Sequence, residues 1–214
     1  MEIIIVIAVI AGVLVLNFMN QARLMAKPEL LLRHDETVVS QIECVVKPDE
    51  QIWLRDNGYQ YFASYRFQQI MFSVWRKQDG ATDVVIYVRP DGKLTYDMVS
   101  YFESDQMLTT AINGETGMCP LPPGTYKESV DCRSLVELAQ AHQKSISILR
   151  QMRCVLIRQT APDFETHLID SIRHENAYMK GFFLWQIRSL YWYFVKRHIL
   201  RGKSIEIQLQ KDRI

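Results

Sequence analysis

The sequence lacks the short motifs that identify the commonest nucleotide-dependent and hydrolytic enzymes. It has no G-x-S-x-G nucleophile turn, no G-x-x-x-x-G-K-[ST] phosphate loop, no H-E-x-x-H zinc pattern, no G-x-G-x-x-G turn and no EF-hand loop. A catalytic site assembled from residues distant in sequence would escape this search. We therefore expect an accessory or interaction protein with no cofactor, and the alternative is a membrane-tethered enzyme or small-ligand sensor.

Two features typical of extracellular domains are also missing. The cysteines Cys44, Cys119, Cys132 and Cys154 form no C-x-x-C pair, and no Asn-x-Ser/Thr glycosylation site occurs in the chain. Both absences are typical of a reducing compartment, so we expect free thiols. If the domain instead faced an oxidising compartment, Cys119 and Cys132 would be the expected disulfide pair, because they flank a loop rich in proline and glycine.

Charge is absent from a long stretch near the start of the sequence. From Ile3 to Leu16 every residue is Ile, Val, Leu, Ala or Gly, and no ionisable side chain lies between Glu2 and Arg23. An apolar run of about 17 to 20 residues is long enough to cross the hydrocarbon core of a bilayer as a helix. No basic residue precedes the run, as a cleavable signal peptide would require. The pattern predicts an uncleaved, single-pass membrane anchor over residues 1–22.

Basic residues flank this run on one side. Arg23, Lys27 and Arg33 follow it closely, and an excess of Lys and Arg marks the cytoplasmic side of a membrane segment. We therefore expect the N-terminus outside and the following domain in the cytoplasm. Ala8 and Gly12 form a small-xxx-small pair through which two such helices could pack as a homodimer.

The remaining residues have the composition of one folded domain, and their periodicity changes along the chain. Residues 23–58 are predicted to form a helical connector, with one helix capped by Asp35 and a second from Asp49 to Asn57. The apolar period is helical in this region and becomes alternating after Gly58. This change marks the beginning of a predicted sheet.

Residues 59–133 are predicted to form an antiparallel meander followed by a long loop. The span from Tyr59 to Lys77 fits one bulged strand or two strands. Turn signals then separate three further predicted strands, which are Asp83 to Arg89, Lys93 to Glu103 and Gln106 to Ile112. The connections are too short for crossover helices, so antiparallel pairing is expected. Residues 113–133 lack periodicity and are predicted to be a loop.

Residues 134–202 are predicted to be helical, with residues 203–214 as a tail. A capping box formed by Ser134 and Glu137 opens a helix with a nearly heptad-spaced apolar stripe. The stripe contains Leu135, Leu138, Leu149, Met152 and Leu156, with His142 and Ser145 as polar interruptions. Pro162 begins a last helix that runs to about Leu200, with a kink at Gly181. Strands followed by helices predict an α+β fold, with the helices on one face of the sheet.

The most distinctive part of the domain is a segment near its end in which basic residues are interspersed among many aromatic residues. We call residues 180–203 the aromatic-basic segment. It contains six Lys or Arg residues and no acid, whereas residues 20–175 carry a net charge of −4. Its predicted membrane-surface residues are Trp185, Arg188, Trp192, Lys196, Arg197, Arg201 and Lys203. The alternatives are a helix packed on the sheet with solvated basic groups, or an acidic partner such as nucleic acid.

Membrane lipid and another protein are the expected partners, and nucleic acid is disfavoured. Asp163, His167, Asp170 and His174 share one side of the last helix and are weak candidates for metal ligands, because one helix aligns at most two ligands on one ion. A solvated polar face is the favoured interpretation of these four residues. Asp97 and His142 interrupt apolar patterns, and we expect both to be hydrogen-bonded structural residues rather than acids or bases.

Overall fold

The computed structural model describes residues 32–67, 70–78, 80–89, 91–112, 120–153 and 156–192, with isolated positions at 12, 195, 199, 205, 206 and 209. The fold is α+β, as the sequence predicts. Apart from position 12, the predicted anchor over residues 1–22 lies outside the described residues. Among the helices that are described, none has both the length and the apolar character needed to cross a membrane.

The strands lie side by side in chain order. They are β1 (Leu32–His34), β2 (Tyr59–Phe67), β3 (Ile70–Lys77), β4 (Thr82–Val88), β5 (Leu94–Tyr101), β6 (Met107–Ile112) and β7 (Thr125–Val130). From β1 to β6 all neighbours pair antiparallel, which confirms this part of the meander. The span from Tyr59 to Lys77 forms two strands, and the register of β2 shifts between Tyr61 and Ala63.

The prediction of a purely antiparallel sheet is wrong at its last strand. Part of the expected loop forms β7, which pairs parallel with β6, so the sheet is mixed. Parallel pairing requires the chain to return to the beginning of β6 before β7 starts. It turns into β7 at Gly124, whose φ is +86° and where an added Cβ would lie 3.1 Å from Gln106 Cγ. Turn signals marked the loop but carried no information about the direction of the next strand.

The helices begin and end at local signals, with two departures from the prediction. They are α1 (Thr37–Glu43), α2 (Pro48–Asp56), α3 (Leu135–Arg153), α4 (Phe164–Lys180) and α5 (Trp185–Tyr191). The expected helical connector also contains the short strand β1, which pairs with the end of β2. The expected last helix is divided, because α4 ends at Gly181 and α5 begins after Leu184.

Side-chain hydrogen bonds support three of these helix starts. Asp35, the predicted cap of α1, lies one residue before the N-cap Glu36, and its Oδ1 accepts the Thr37 amide proton at 3.1 Å. Ser134 Oγ accepts the Glu137 amide proton at 3.2 Å at the start of α3. Asp163 Oδ2 accepts the Thr166 amide proton at 2.9 Å at the start of α4. Each cap satisfies backbone donors that a helix start leaves unpaired.

Helices cover both faces of the sheet rather than the single face that was predicted. Because strand side chains alternate, Val84 and Ile86 point to a first face, where they pack with residues of α1, α2 and α3. Val85 points to the second face, where Phe164 of α4 joins the core. The strand β4 is therefore buried on both sides, and its near-continuous apolar run reflects this position.

The apolar stripe of α3 lies against the first face. Leu135, Leu138 and Leu149 are each 0% exposed. Leu156 was predicted to belong to this stripe, but it lies beyond the end of α3 and is 65% exposed. The helix ends before the heptad spacing reaches this residue.

Candidate interaction surface

The aromatic-basic segment separates from α4 at a sharp turn. The Gly181 amide donates to the carbonyls of Ala177 and Tyr178, which closes α4. Leu184 then adopts a left-handed conformation with φ +54°, which is uncommon for a residue with a side chain. This conformation interrupts the helix between α4 and α5.

Large apolar side chains line one side of the segment and are exposed to solvent. We call this set the exposed stripe, and it consists of Phe183, Ile187, Tyr191, Val195 and Ile199. Phe183 is 87% exposed and Ile187 is 60% exposed. Of these residues, Ile187 and Tyr191 lie four positions apart within α5, which places them on one face of that helix. Leu184, which is also exposed, lies next to the stripe.

The other side of α5 is less exposed to solvent. Ser189 is 1% exposed, and its hydroxyl donates to the Trp185 carbonyl at 2.8 Å. Trp185 and Trp192 are both half-buried, and the indole N–H of Trp192 is buried without a hydrogen-bond partner among the described residues. The two tryptophans predicted to anchor the surface thus lie on the inner side of the helix. Its outer side carries smaller aromatic and branched side chains that were not predicted.

One basic group, Arg188, lies beside the exposed stripe. Arg188 is exposed, and its guanidinium carbon lies 4.3 Å from the centre of the Phe182 ring. This contact holds the cation beside the stripe without neutralising its charge. Lys196, Arg197, Arg201 and Lys203, which were also predicted as surface residues, lie outside the described residues.

After this segment the chain returns to the domain core. Ile205 and Leu209 are each 1% exposed and join a cluster with Leu108, Ile146 and other residues. The Ile205 amide donates to Glu128 Oε1 at 3.0 Å. The predicted tail over residues 203–214 therefore contributes to the core, because it supplies apolar residues that cover the end of α3.

Polar groups on the first face form a closed network. His142 Nε2 lies 2.8 Å from Ser100 Oγ, and His142 Nδ1 lies 2.8 Å from Thr110 Oγ1. All three side chains are 0% exposed, and Ser100 also pairs with Thr82. Burial lowers the pKa of His142 to about 3, so the ring is neutral at physiological pH. A serine paired with a histidine resembles a nucleophile and its base, but these groups have no access to a substrate.

The second face holds ionisable groups that remain half-buried. Asp97 of β5 hydrogen-bonds to Tyr87, as expected for a structural residue. Burial raises the pKa of Asp97 and of Glu175 on α4, and the positive charge of Lys127 on β7 opposes both shifts. These carboxyls accept protons more readily than exposed ones. Sequence reasoning missed Lys127 and Glu175, because three different elements bring them near Asp97.

A tightly bonded ion pair joins the sheet to the start of α4. Arg76 donates to both carboxylate oxygens of Asp83 at 2.9 and 3.0 Å and also to the Pro162 carbonyl at 2.9 Å. Tyr101 donates its hydroxyl proton to Asp83 at 3.0 Å. The Arg76 guanidinium also stacks on Phe62, within a shallow depression at the ends of β2 and β3. The pattern of charged residues along the chain did not single out this pair.

The four weak metal candidates have separate roles along α4. Asp163 caps the helix, and Asp170 lies 3.4 Å from Arg173. The His167 ring packs edge-on against Tyr101, while His174 is exposed. No group of three or more His, Cys, Asp or Glu residues in the described ranges is arranged to hold a metal ion.

Two of the cysteines can be placed in the domain. Cys44 is a free, exposed thiol and Cys132 is a free, buried thiol. Cys119 and Cys154 lie outside the described residues. Burial raises the pKa of Cys132, and the nearby Glu137, Asp131 and Glu128 add to this shift.

Comparisons with known proteins identify no relative: no family model, no curated protein and no solved structure matches this chain.

Proposed function

We propose that this protein is a single-pass, membrane-anchored accessory or interaction module, with its α+β domain on the cytoplasmic side and close to the bilayer. The anchor is the apolar run over residues 1–22, and its orientation follows from Arg23, Lys27 and Arg33. The domain supplies a surface for a partner rather than a reaction.

The observation that carries this proposal is the exposed stripe. Soluble monomers seldom leave contiguous large apolar side chains in water, and such patches mark sites of contact with proteins or membranes. On this chain, Phe183, Ile187 and Tyr191 are all more than half exposed, although the domain buries other apolar stripes on both faces of its sheet.

The alternative, an enzyme or small-ligand sensor, has weaker support. It requires polar groups that converge on a space that a ligand can enter. Ser100, Thr110 and His142 converge, but they are fully buried and bonded to one another. This arrangement favours a structural role for the network.

The proposal is tested first by topology. The full chain carries a C-terminal reporter that is active only in the cytoplasm, and we expect activity together with resistance of the protein to alkaline extraction from membranes. A matched variant places lysines before Ile3 and replaces Arg23, Lys27 and Arg33 by Gln, which should reverse the orientation. Loss of the protein from the membrane fraction, or reporter activity only outside the cytoplasm, would overturn the proposal.

The second test concerns the accessory role. We expect a defined protein to co-purify with the full chain from detergent-solubilised membranes, and failure to recover one would contradict the accessory role. Turnover of a small molecule by the purified chain alone would instead support the enzyme alternative.

A further inference from the structure

The apolar side chains of the exposed stripe are expected to contact a partner surface. The apolar residues near the C-terminus of the chain do not provide it, because they pack in the domain core. Ile205 and Leu209 follow the segment and would be the nearest apolar side chains to fold over it. Both are instead buried among Phe102, Leu108 and Leu149. These two residues therefore do not cover the stripe.

Charge favours one class of occupant. The aromatic-basic segment carries six basic residues and no acid, so a second copy of the same surface would oppose six positive charges with six more. An anionic surface complements both the basic border and the apolar stripe. Of the basic groups, Arg188 is seen beside the stripe, where its exposed guanidinium stacks on Phe182.

From these observations we infer that the exposed stripe lies in the headgroup region of an anionic lipid leaflet. Ile187 and Phe183 contact the acyl boundary, Tyr191 keeps its hydroxyl among the headgroups, and Arg188 pairs with lipid phosphate. This distribution of apolar, amphipathic and basic side chains is typical of interfacial helices. Trp185 and Trp192 support the segment from its inner side.

This inference rests on the proposed function, because the membrane anchor is what holds the segment beside a bilayer. A tether converts a weak surface contact into an intramolecular one and raises its occupancy. The segment is also held to the domain at both ends, since Met179 at the end of α4 and Ile205 after the segment are buried. Contact with lipid would consequently fix the orientation of the whole domain on the bilayer.

The experiment uses the full chain reconstituted into vesicles that contain brominated phosphatidylglycerol, which quenches tryptophan fluorescence by contact. Ile187→Trp places a reporter on the stripe, and Ile52→Trp places one at an exposed apolar position on α2. The unsubstituted chain gives the background from its own four tryptophans. We expect the added fluorescence to be quenched at position 187 and to persist at position 52.

The outcomes separate this inference from the proposed function. If the chain does not incorporate into vesicles, the proposed membrane anchor fails. If it incorporates but the two reporters are quenched equally, the lipid contact of the stripe is overturned. Equal quenching at position 187 by brominated phosphatidylcholine in vesicles without anionic lipid would overturn the preference for an anionic leaflet.

A second variant tests whether protein covers the stripe instead. Ile187→Asp should reduce the lipid contact, measured as loss of quenching of a Phe183→Trp reporter on the exposed stripe, and should leave the denaturation midpoint of the domain in detergent unchanged. A lower midpoint would show that the chain itself or a second copy buries Ile187. That result would overturn the inference and identify the stripe as a protein-protein contact.

Discussion

The helices α3 and α5 both carry apolar stripes, yet one stripe is covered and the other is exposed. In α3, Leu138 and Leu149 are fully buried against the sheet. In the aromatic-basic segment, Ile187 and Tyr191 are exposed. The comparison teaches that an apolar stripe indicates a need for a partner surface without specifying whether that surface belongs to the same chain.

The polar residues of the two helices follow the same division. His142 interrupts the covered stripe and has hydrogen bonds at both ring nitrogens. Arg188 borders the exposed stripe and keeps its guanidinium in solvent above Phe182. Burial forces polar groups to find partners within the fold, whereas exposure leaves charges available for an external partner.

The largest expected change in the free energy of unfolding comes from breaking a buried ion pair. Removal of an exposed charge is the comparison. Arg76→Gln leaves the carboxylate of Asp83, which is 0% exposed, without its ionic partner. We expect a loss of roughly 3 kcal/mol in the free energy of unfolding, because an unpaired buried charge is costly. Arg188→Gln should change it by less than about 0.5 kcal/mol. Urea denaturation of the two variants measures both values, and equal losses would contradict the comparison.

The next effect compares apolar truncations in the covered and exposed stripes. Leu138→Ala removes a fully buried side chain and should cost about 2 to 5 kcal/mol, since it leaves a cavity. Ile187→Ala should cost less than about 0.5 kcal/mol in detergent, because its side chain is already in solvent. Denaturation midpoints of the two variants test this difference. A large loss for Ile187→Ala would mean that the stripe is buried in the folded protein.

A smaller effect concerns pH and the neutral His142. Its pKa in the folded protein is about 3, compared with about 6.5 when unfolded. Its contribution to stability is therefore complete above pH 6.5 and is lost as the pH falls, because the unfolded state then binds the proton. Between pH 7 and pH 5 this histidine should account for a loss of roughly 2 kcal/mol.

Variants isolate the contribution of this histidine from that of the carboxyls. The loss attributed to His142 is the difference in pH dependence between the unsubstituted chain and His142→Gln, which has no ring to protonate. The exposed His174, replaced by Gln, is the matched control and should leave the pH dependence unchanged. If His142→Gln keeps the full pH dependence, the buried histidine is not its source.

The smallest expected effect concerns the reactivity of two cysteine thiols. Cys44 is exposed, so a maleimide should modify it within the folded protein. Cys132 should react only after denaturation, because it is buried and its raised pKa disfavours the thiolate. Mass spectrometry of peptides labelled before and after denaturation checks both expectations. Rapid labelling of Cys132 in the native protein would show that the end of β7 opens readily.

Local signals in the sequence predicted much of the fold. The capping box at Ser134 and the turn at Gly58 lie at observed element boundaries, whereas the last helix begins at Phe164 with Asp163 as its cap rather than at Pro162. The alternation of apolar residues predicted β2 to β6. These features depend on residues a few positions apart, so the sequence carries them directly.

Contacts between distant residues account for what was not predicted. The strand β7 pairs with β6 across a long connection, and Lys127 and Glu175 come near Asp97 from separate elements. The sequence predicted a segment rich in aromatic and basic residues, but it did not predict which of its apolar side chains are exposed on α5. Trp185 and Trp192 are half-buried, which no pattern within the segment records.

The sequence by itself determined that this protein has an α+β domain and a basic, acid-free aromatic segment, because both depend on composition and short-range periodicity. Only the tertiary structure decided which apolar stripes are covered. The domain provides a sheet face for α3 and another for α4, and Ile205 and Leu209 return to fill the remaining core. The side chains of Phe183, Ile187 and Tyr191 stay exposed, since the core clusters on both faces of the sheet are filled by other residues.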